Sequence, residues 1–139
     1  MKVLFVDEDW EVEVLAKVLQ ARHIKDDFDI ADTLAIAREK IWNGKYDVIV
    51  MDVMMPADET AVPQSSEKAG LLSGLLLFDM IRADAKCPNY RTPIVILTGL
   101  LANEHPRLVE AQKKCGEFFQ TKPIHPDTLY DLLCKPSQQ

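Results

Sequence analysis

Four short apolar runs in this chain each end on side chains that can do chemistry. Lys2-Val3-Leu4-Phe5-Val6 leads into Asp7, Glu8 and Asp9, and Val48-Ile49-Val50-Met51 leads into Asp52. Pro93-Ile94-Val95-Ile96-Leu97 leads into Thr98, and Glu117-Phe118-Phe119-Gln120 leads past Thr121 to Lys122. A carboxylate can act as a nucleophile or hold a hard cation, and a hydroxyl or an ammonium can receive the charge of an anionic group. Singly, each residue has a plainer reading. Asp7, Asp9 or Asp52 could cap a turn or helix, Thr98 could be a turn hydroxyl, and Lys122 a solvated lysine. Jointly they occupy matching places, because the carboxyl ends of parallel strands all point one way and border one crevice.

The elements that must position them follow from hydrophobic periodicity. Val48 to Met51 is continuously apolar, as in a parallel strand covered on both faces. Pro56 then bars any continuation of a central strand. Val14, Leu15, Val18 and Leu19 form the stripe of a first helix from about Asp9 or Trp10 to Arg22, with Asp9 a candidate N-cap. Phe28 to Ala31 is a weaker strand. Leu34, Ile36, Ala37 and Ile41 mark a helix that stops at Asn43-Gly44. Further helices are expected over Gly74–Arg82, Glu104–Lys114 and Pro126–Leu133, and a loop over Cys87–Thr92. Strand and helix thus alternate five times, which predicts an α/β domain with a parallel sheet covered by helices on both faces.

Composition bounds the rest. The 139 residues suffice for one domain, 47% hydrophobic and 27% charged, and no apolar run approaches a membrane span. A net charge of -6 argues against a nucleic-acid surface. Cys87, Cys115 and Cys134 lack metal-ligand spacing, so reduced thiols and a cytoplasmic location are expected. His23, His105 and His125 also lack ligand spacing and read as surface residues.

Beyond these features, the sequence resembles the receiver domains of two-component response regulators, the CheY-like superfamily, over nearly its whole length. The resemblance is carried by Val6-Asp7-Glu8-Asp9, Asp52 with Met55-Pro56, Gly74-Leu75 with Leu77-Phe78 and Ile81-Arg82, Thr98, and Phe119 with Lys122-Pro123. It implies a flavodoxin-like (βα)5 three-layer sandwich with sheet order 2-1-3-4-5. It implies Asp52 as phosphoacceptor, and Asp7, Glu8, Asp52 and the Met54 backbone carbonyl as ligands of Mg2+, with Mn2+ the alternative. Thr98 reads the phosphoryl oxygens, Lys122 pairs with Asp52 and then with the phosphoryl group, and Phe119 is the aromatic that turns inward on activation. The implied partners are a sensor histidine kinase or phosphotransfer protein and a downstream effector protein, with no nucleic acid or membrane. A phosphorylation-linked homodimer stays open. The implied activity is that of a signalling switch with intrinsic autophosphorylation and slow autodephosphorylation, not a metabolic enzyme. The expected domain spans residues 1–135, followed by a loose tail, 136–139.

Three departures stand out against that pattern. Residues 57–73 form a long insertion after the third strand, read either as a tolerated surface insertion, since loop length costs little, or as selecting the phosphodonor or partner or partly covering Asp52. Gly99 replaces the usual alanine. Met54 and Leu100, two residues beyond Asp52 and Thr98, are apolar and are expected to flank the crevice mouth and hinder an attacking water. Leu101 reads equally as core or as part of an apolar patch, and Trp10 is expected to pack near the acidic loop. The alternative to a working receiver is a receiver-like interaction module that does not use phosphorylation. A Mg2+-dependent phosphohydrolase fits less well, because Val53 and Met54, not an acid, follow Asp52. A flavodoxin fits less well still, because the first strand leads into acids where a phosphate loop would be needed.

Overall fold

The computed structural model describes residues 1–56, 58, 61, 72–100 and 105–135. Strands β1 (Lys2–Val6), β2 (Asp27–Ala31), β3 (Val48–Met51), β4 (Ile94–Thr98) and β5 (Phe119–Thr121) form one sheet in the order β2-β1-β3-β4-β5, every pair parallel. Helices α1 (Trp10–Arg22), α2 (Leu34–Asn43), α3 (Ser73–Ala83), α4 (Pro106–Cys115) and α5 (Pro126–Cys134) alternate with the strands. This is the flavodoxin-like α/β architecture expected from the sequence.

Strand side chains alternate between faces, so each strand feeds two cores. Leu4, Val6, Ile49, Met51 and Ile96 join Leu34 and Ile41 of α2, Leu77 and Ile81 of α3 and Leu108 of α4. Val3, Phe5, Val50, Val95 and Leu97 join Val12 and Leu19 of α1 and Leu129 and Leu133 of α5. The result is three layers, with α1 and α5 on one side and α2, α3 and α4 on the other.

Helix starts are set by local hydrogen bonds. Asp9 caps α1 by accepting from the Glu11 N–H, and Thr33 caps α2 by accepting from the Ile36 N–H. The histidines, exposed at His125 and partly exposed at His23 and His105, have local structural roles the sequence reading did not name. His105 and His125 cap α4 and α5 through Nδ1, each followed by a proline at the first helical position, and His23 stacks on Tyr130 with ring centroids 3.5 Å apart. A departure is at Glu117 and Phe118, read as strand. Gly116 ends α4 at φ 57°, a conformation glycine adopts without steric cost, and residues Gly116–Phe118 then form one 3-10 turn, so β5 begins only at Phe119.

The Cys87–Thr92 loop, at the amino ends of the strands, is a polar plug. The Asn89 side chain donates to the carbonyls of Ile41 and Gly44 and accepts from the Tyr46 N–H. It thereby satisfies carbonyls left open at the end of α2. Cys87, Cys115 and Cys134 form no disulfide with one another, and burial raises the pKa of the first two. Among the described residues, no helix is long and apolar enough to cross a membrane.

Of the 57–73 stretch, Ser73 is the first residue of α3 and Ala61 is buried in the core. The Ala61 carbonyl accepts from Arg38 Nη1 of α2 at 2.6 Å. Leu72 is buried in the same core. Residues 57, 59, 60 and 62–71, Leu101 and the tail 136–139 lie outside the described residues.

Candidate functional site

The carboxyl ends of β1, β3, β4 and β5 bring together Asp7, Asp52, Thr98 and Lys122. Asp7 is 4% exposed, Asp52 6% and Thr98 fully buried. Lys122 Nζ lies 2.8 Å from Asp7 Oδ2, 3.2 Å from Asp52 Oδ2 and 3.5 Å from Asp9 Oδ2. One ammonium therefore serves three carboxylates contributed by two loops.

Backbone hydrogen bonds hold each group in place. The Asp52 N–H donates to the Val6 carbonyl, and Asp52 Oδ1 accepts from the Met54 N–H at 3.0 Å. Asp7 Oδ1 accepts from the Asp9 N–H at 2.8 Å. The Lys122 N–H donates to the Thr98 carbonyl at 2.8 Å, so the buried hydroxyl and the lysine are tied through the ends of adjacent strands. Thr98 Oγ1 accepts from the Leu100 N–H at 3.2 Å and still carries a proton it can give to an anion. The Lys122–Pro123 peptide is cis.

Gly74 is part of this support. Its N–H donates to the Val53 carbonyl, and a Cβ built on it would come within 2.7 Å of Val53 Cα and closer still to the Asp52 carbonyl oxygen. Only glycine lets α3 approach the Asp52–Val53 backbone this closely. Gly99 is the opposite case, because a Cβ there would meet nothing within 4 Å.

The charges are unevenly compensated. Burial pushes the Asp7 carboxyl up to about 6 despite the lowering pull of Lys122, and the Asp52 charge adds to the rise. Burial works against the Lys122 ammonium, but Asp7 and Asp52 outweigh it and its pKa is raised.

The remaining predicted residues sit at the rim or beside it. Glu8 is exposed and Met54 is 38% exposed; with Asp9, Trp10, Asp52, Gly99 and Lys122 they line a surface depression of about 480 Å³. Trp10 borders the acidic loop but does not pack there. It is 69% exposed, because as the first residue of α1 it faces away from the stripe of Val12, Ala16 and Leu19 that the helix buries. Leu100 is half-buried against the core. Phe119 is 7% exposed and joins the core shared with α4, so its ring is already turned inward.

Among the described residues, no three His, Cys, Asp or Glu side chains are gathered as a metal-donor group. The donor chemistry nevertheless fits Mg2+, which is commonly held by one or two carboxylates, with water and substrate oxygens completing its shell. Asp7 and Asp52 supply two buried oxygen donors that converge on one ammonium group, Lys122 Nζ.

Comparisons with known proteins agree with the architecture. No protein-family model matches the sequence, and no curated protein does. Solved structures match over nearly full length. The receiver domain of Francisella response regulator 1452 is 25% identical, with 99% of this chain and 96% of that one covered and a TM-score of 0.67. Chemotaxis protein CheY4 of Vibrio cholerae is 24% identical, with 96% of each chain covered and a TM-score of 0.69. The fold is that of a response-regulator receiver domain. Response regulator TrrA of Thermotoga maritima, solved in complex with Mg2+ and BeF, is a further receiver-fold match: 23% identical, 97% of each chain covered, TM-score 0.67.

Proposed function

We propose that this chain is a phosphoacceptor receiver of two-component signalling. The observation that carries the reading is the buried Asp52 carboxylate at the end of β3, held against Lys122 and open to a surface depression. In this reading an Asp52 oxygen attacks the phosphorus of a phosphohistidine on a sensor kinase or phosphotransfer protein. The new O–P bond forms as the P–N bond breaks, and the imidazole leaves and takes up a proton. Lys122 neutralises charge on the equatorial oxygens, and Thr98 donates to one of them. Asp7 and Asp52 would hold Mg2+, with Glu8 and the Met54 carbonyl at the rim, and the ion, or Mn2+ in its place, supplies positive charge against the phosphoryl oxygens.

The product adds roughly -1.5 to -2 charge and three acceptor oxygens at the carboxyl edge of the sheet. Thr98 and Lys122 respond to that charge; Thr98 is the last residue of β4, and Lys122 directly follows β5 and precedes α5. The face formed by α4, β5 and α5, with Phe119 beneath it, is the surface presented to an effector protein. The setting is cytoplasmic, where histidine kinases deliver phosphoryl groups.

The test is intact mass after incubation with phosphoramidate and Mg2+. The expected result is one labile phosphoryl adduct, absent from Asp52→Asn and from a metal-free sample. A wild-type chain that gains no adduct and does not bind beryllofluoride overturns the reading in favour of an interaction module that does not use phosphorylation.

A further inference from the structure

Lys122 has a third partner that the phosphoacceptor reading does not use. Asp9 Oδ2 lies 3.5 Å from Lys122 Nζ, while Asp9 Oδ1 caps α1 by accepting from the Glu11 N–H at 3.1 Å. The Asp9 N–H donates to Asp7 Oδ1 at 2.8 Å. One residue therefore touches the start of α1, the buried acid of β1 and the essential ammonium. Lys122 must shift its contacts toward a phosphoryl group when Asp52 is modified, and every carboxylate that holds it resists that shift.

We infer that Asp9 is a positioning residue that restrains Lys122 in the unmodified state and so sets the rate of phosphoryl transfer to Asp52. The inference rests on the phosphoacceptor reading. Asp9 does not touch the reacting atoms; it acts through the lysine. It also adds a negative charge beside the depression that an anionic phosphodonor must enter. Both effects slow transfer. The same charge favours a divalent cation, so Asp9 trades transfer rate against metal affinity.

The cap and the charge can be separated by substitution. Asparagine and serine both cap helices well, whereas alanine does not. Asp9→Asn and Asp9→Ser therefore remove the charge and keep the cap, and Asp9→Ala removes both. The experiment measures adduct formation from phosphoramidate at saturating Mg2+ and, independently, Mg2+ binding by the fluorescence of Trp10 at the rim of the site. Asp9→Asn and Asp9→Ser are expected to accept the phosphoryl group about fivefold faster than wild type, the effect of one unit charge about 4 Å away in the water-like dielectric of the open depression. Their thermal midpoints should match wild type, and their Mg2+ half-saturation should rise severalfold. If both behave like wild type and only Asp9→Ala changes, Asp9 is a helix cap and nothing more, and the inference is overturned while the phosphoacceptor reading stands. A wild-type chain that forms no Asp52-dependent adduct overturns both.

Discussion

At the scale of single residues, Asp7 carries the clearest pH signature. Its folded pKa of about 6 lies above its ordinary value because burial disfavours the charge. The native state therefore binds the proton more tightly than the unfolded chain, and stability falls as pH rises from about 4 to about 6. The loss is roughly 2–3 kcal/mol before any metal is bound. Urea midpoints measured in chelator across this window should decline for wild type and stay level for Asp7→Asn; equal slopes would remove Asp7 as the cause. In the proposed phosphoacceptor reading, Met54 and Leu100 would bear on the lifetime of the modified state. Met54 lies at the rim and Leu100 is half-buried, and neither side chain can orient a water. Replacing them together by Asn and Glu should speed loss of the phosphoryl group by roughly tenfold, below the usual range for a well-placed general base. An unchanged decay of the adduct would show that apolar shielding does not govern lifetime.

At the scale of elements, two glycines make opposite predictions. Gly74 lets the first turn of α3 lie directly on the Asp52–Val53 backbone. Gly74→Ala should destabilise the fold by about 1–3 kcal/mol, the cost of overpacking against backbone that cannot move aside. If Asp52 is the phosphoacceptor, as proposed, the substitution should also slow phosphorylation, because the strain falls on the loop that carries Asp52. Gly99 has open space around it and no unusual φ. Gly99→Ala should leave stability unchanged or raise it by up to about 1 kcal/mol through a less flexible unfolded chain. Thermal or urea unfolding of the two variants side by side checks both signs, and adduct formation by Gly99→Ala tests whether the glycine weakens switching.

At the scale of the whole molecule, the carboxyl end of the sheet is charge-frustrated, and the polar groups of the Cys87–Thr92 loop at the opposite end are paired. Three carboxylates share one lysine at the carboxyl edge, whereas Asn89 and its neighbours pair the polar groups at the amino edge. A cation that binds the folded chain alone stabilises it by mass action, about 2.7 kcal/mol at a hundred times its dissociation constant. Mg2+ should therefore raise the thermal midpoint of wild type, and more so above pH 6, where Asp7 is ionised. Asp52→Asn and Asp7→Asn should each blunt the effect. A midpoint independent of Mg2+ in wild type would count against a metal role for this edge.

Much of this was legible in the sequence by itself. Apolar runs broken by turn residues, and stripes such as Val14, Leu15, Val18 and Leu19, are local patterns, so strands and helices could be read from them. The alternation determined a parallel sheet, and the reactive residues at strand ends determined where the site had to be. Periodicity could not order the strands, because it records which faces are buried and not which edges pair; the order came from the family resemblance and is borne out by the hydrogen-bonded ladder. Other features depended on contacts between distant segments. Asp9 looked like a cap because capping is local, and its approach to Lys122, 113 positions on, exists only once β1 and β5 share a sheet edge. Gly74 could be matched to a motif, but its steric role depends on α3 lying against the end of β3. Asn89 read as loop composition, and only the packing of α2 against that loop turned it into a plug. Local chemistry wrote the elements into the sequence, and the electrostatics of the site arose from their convergence.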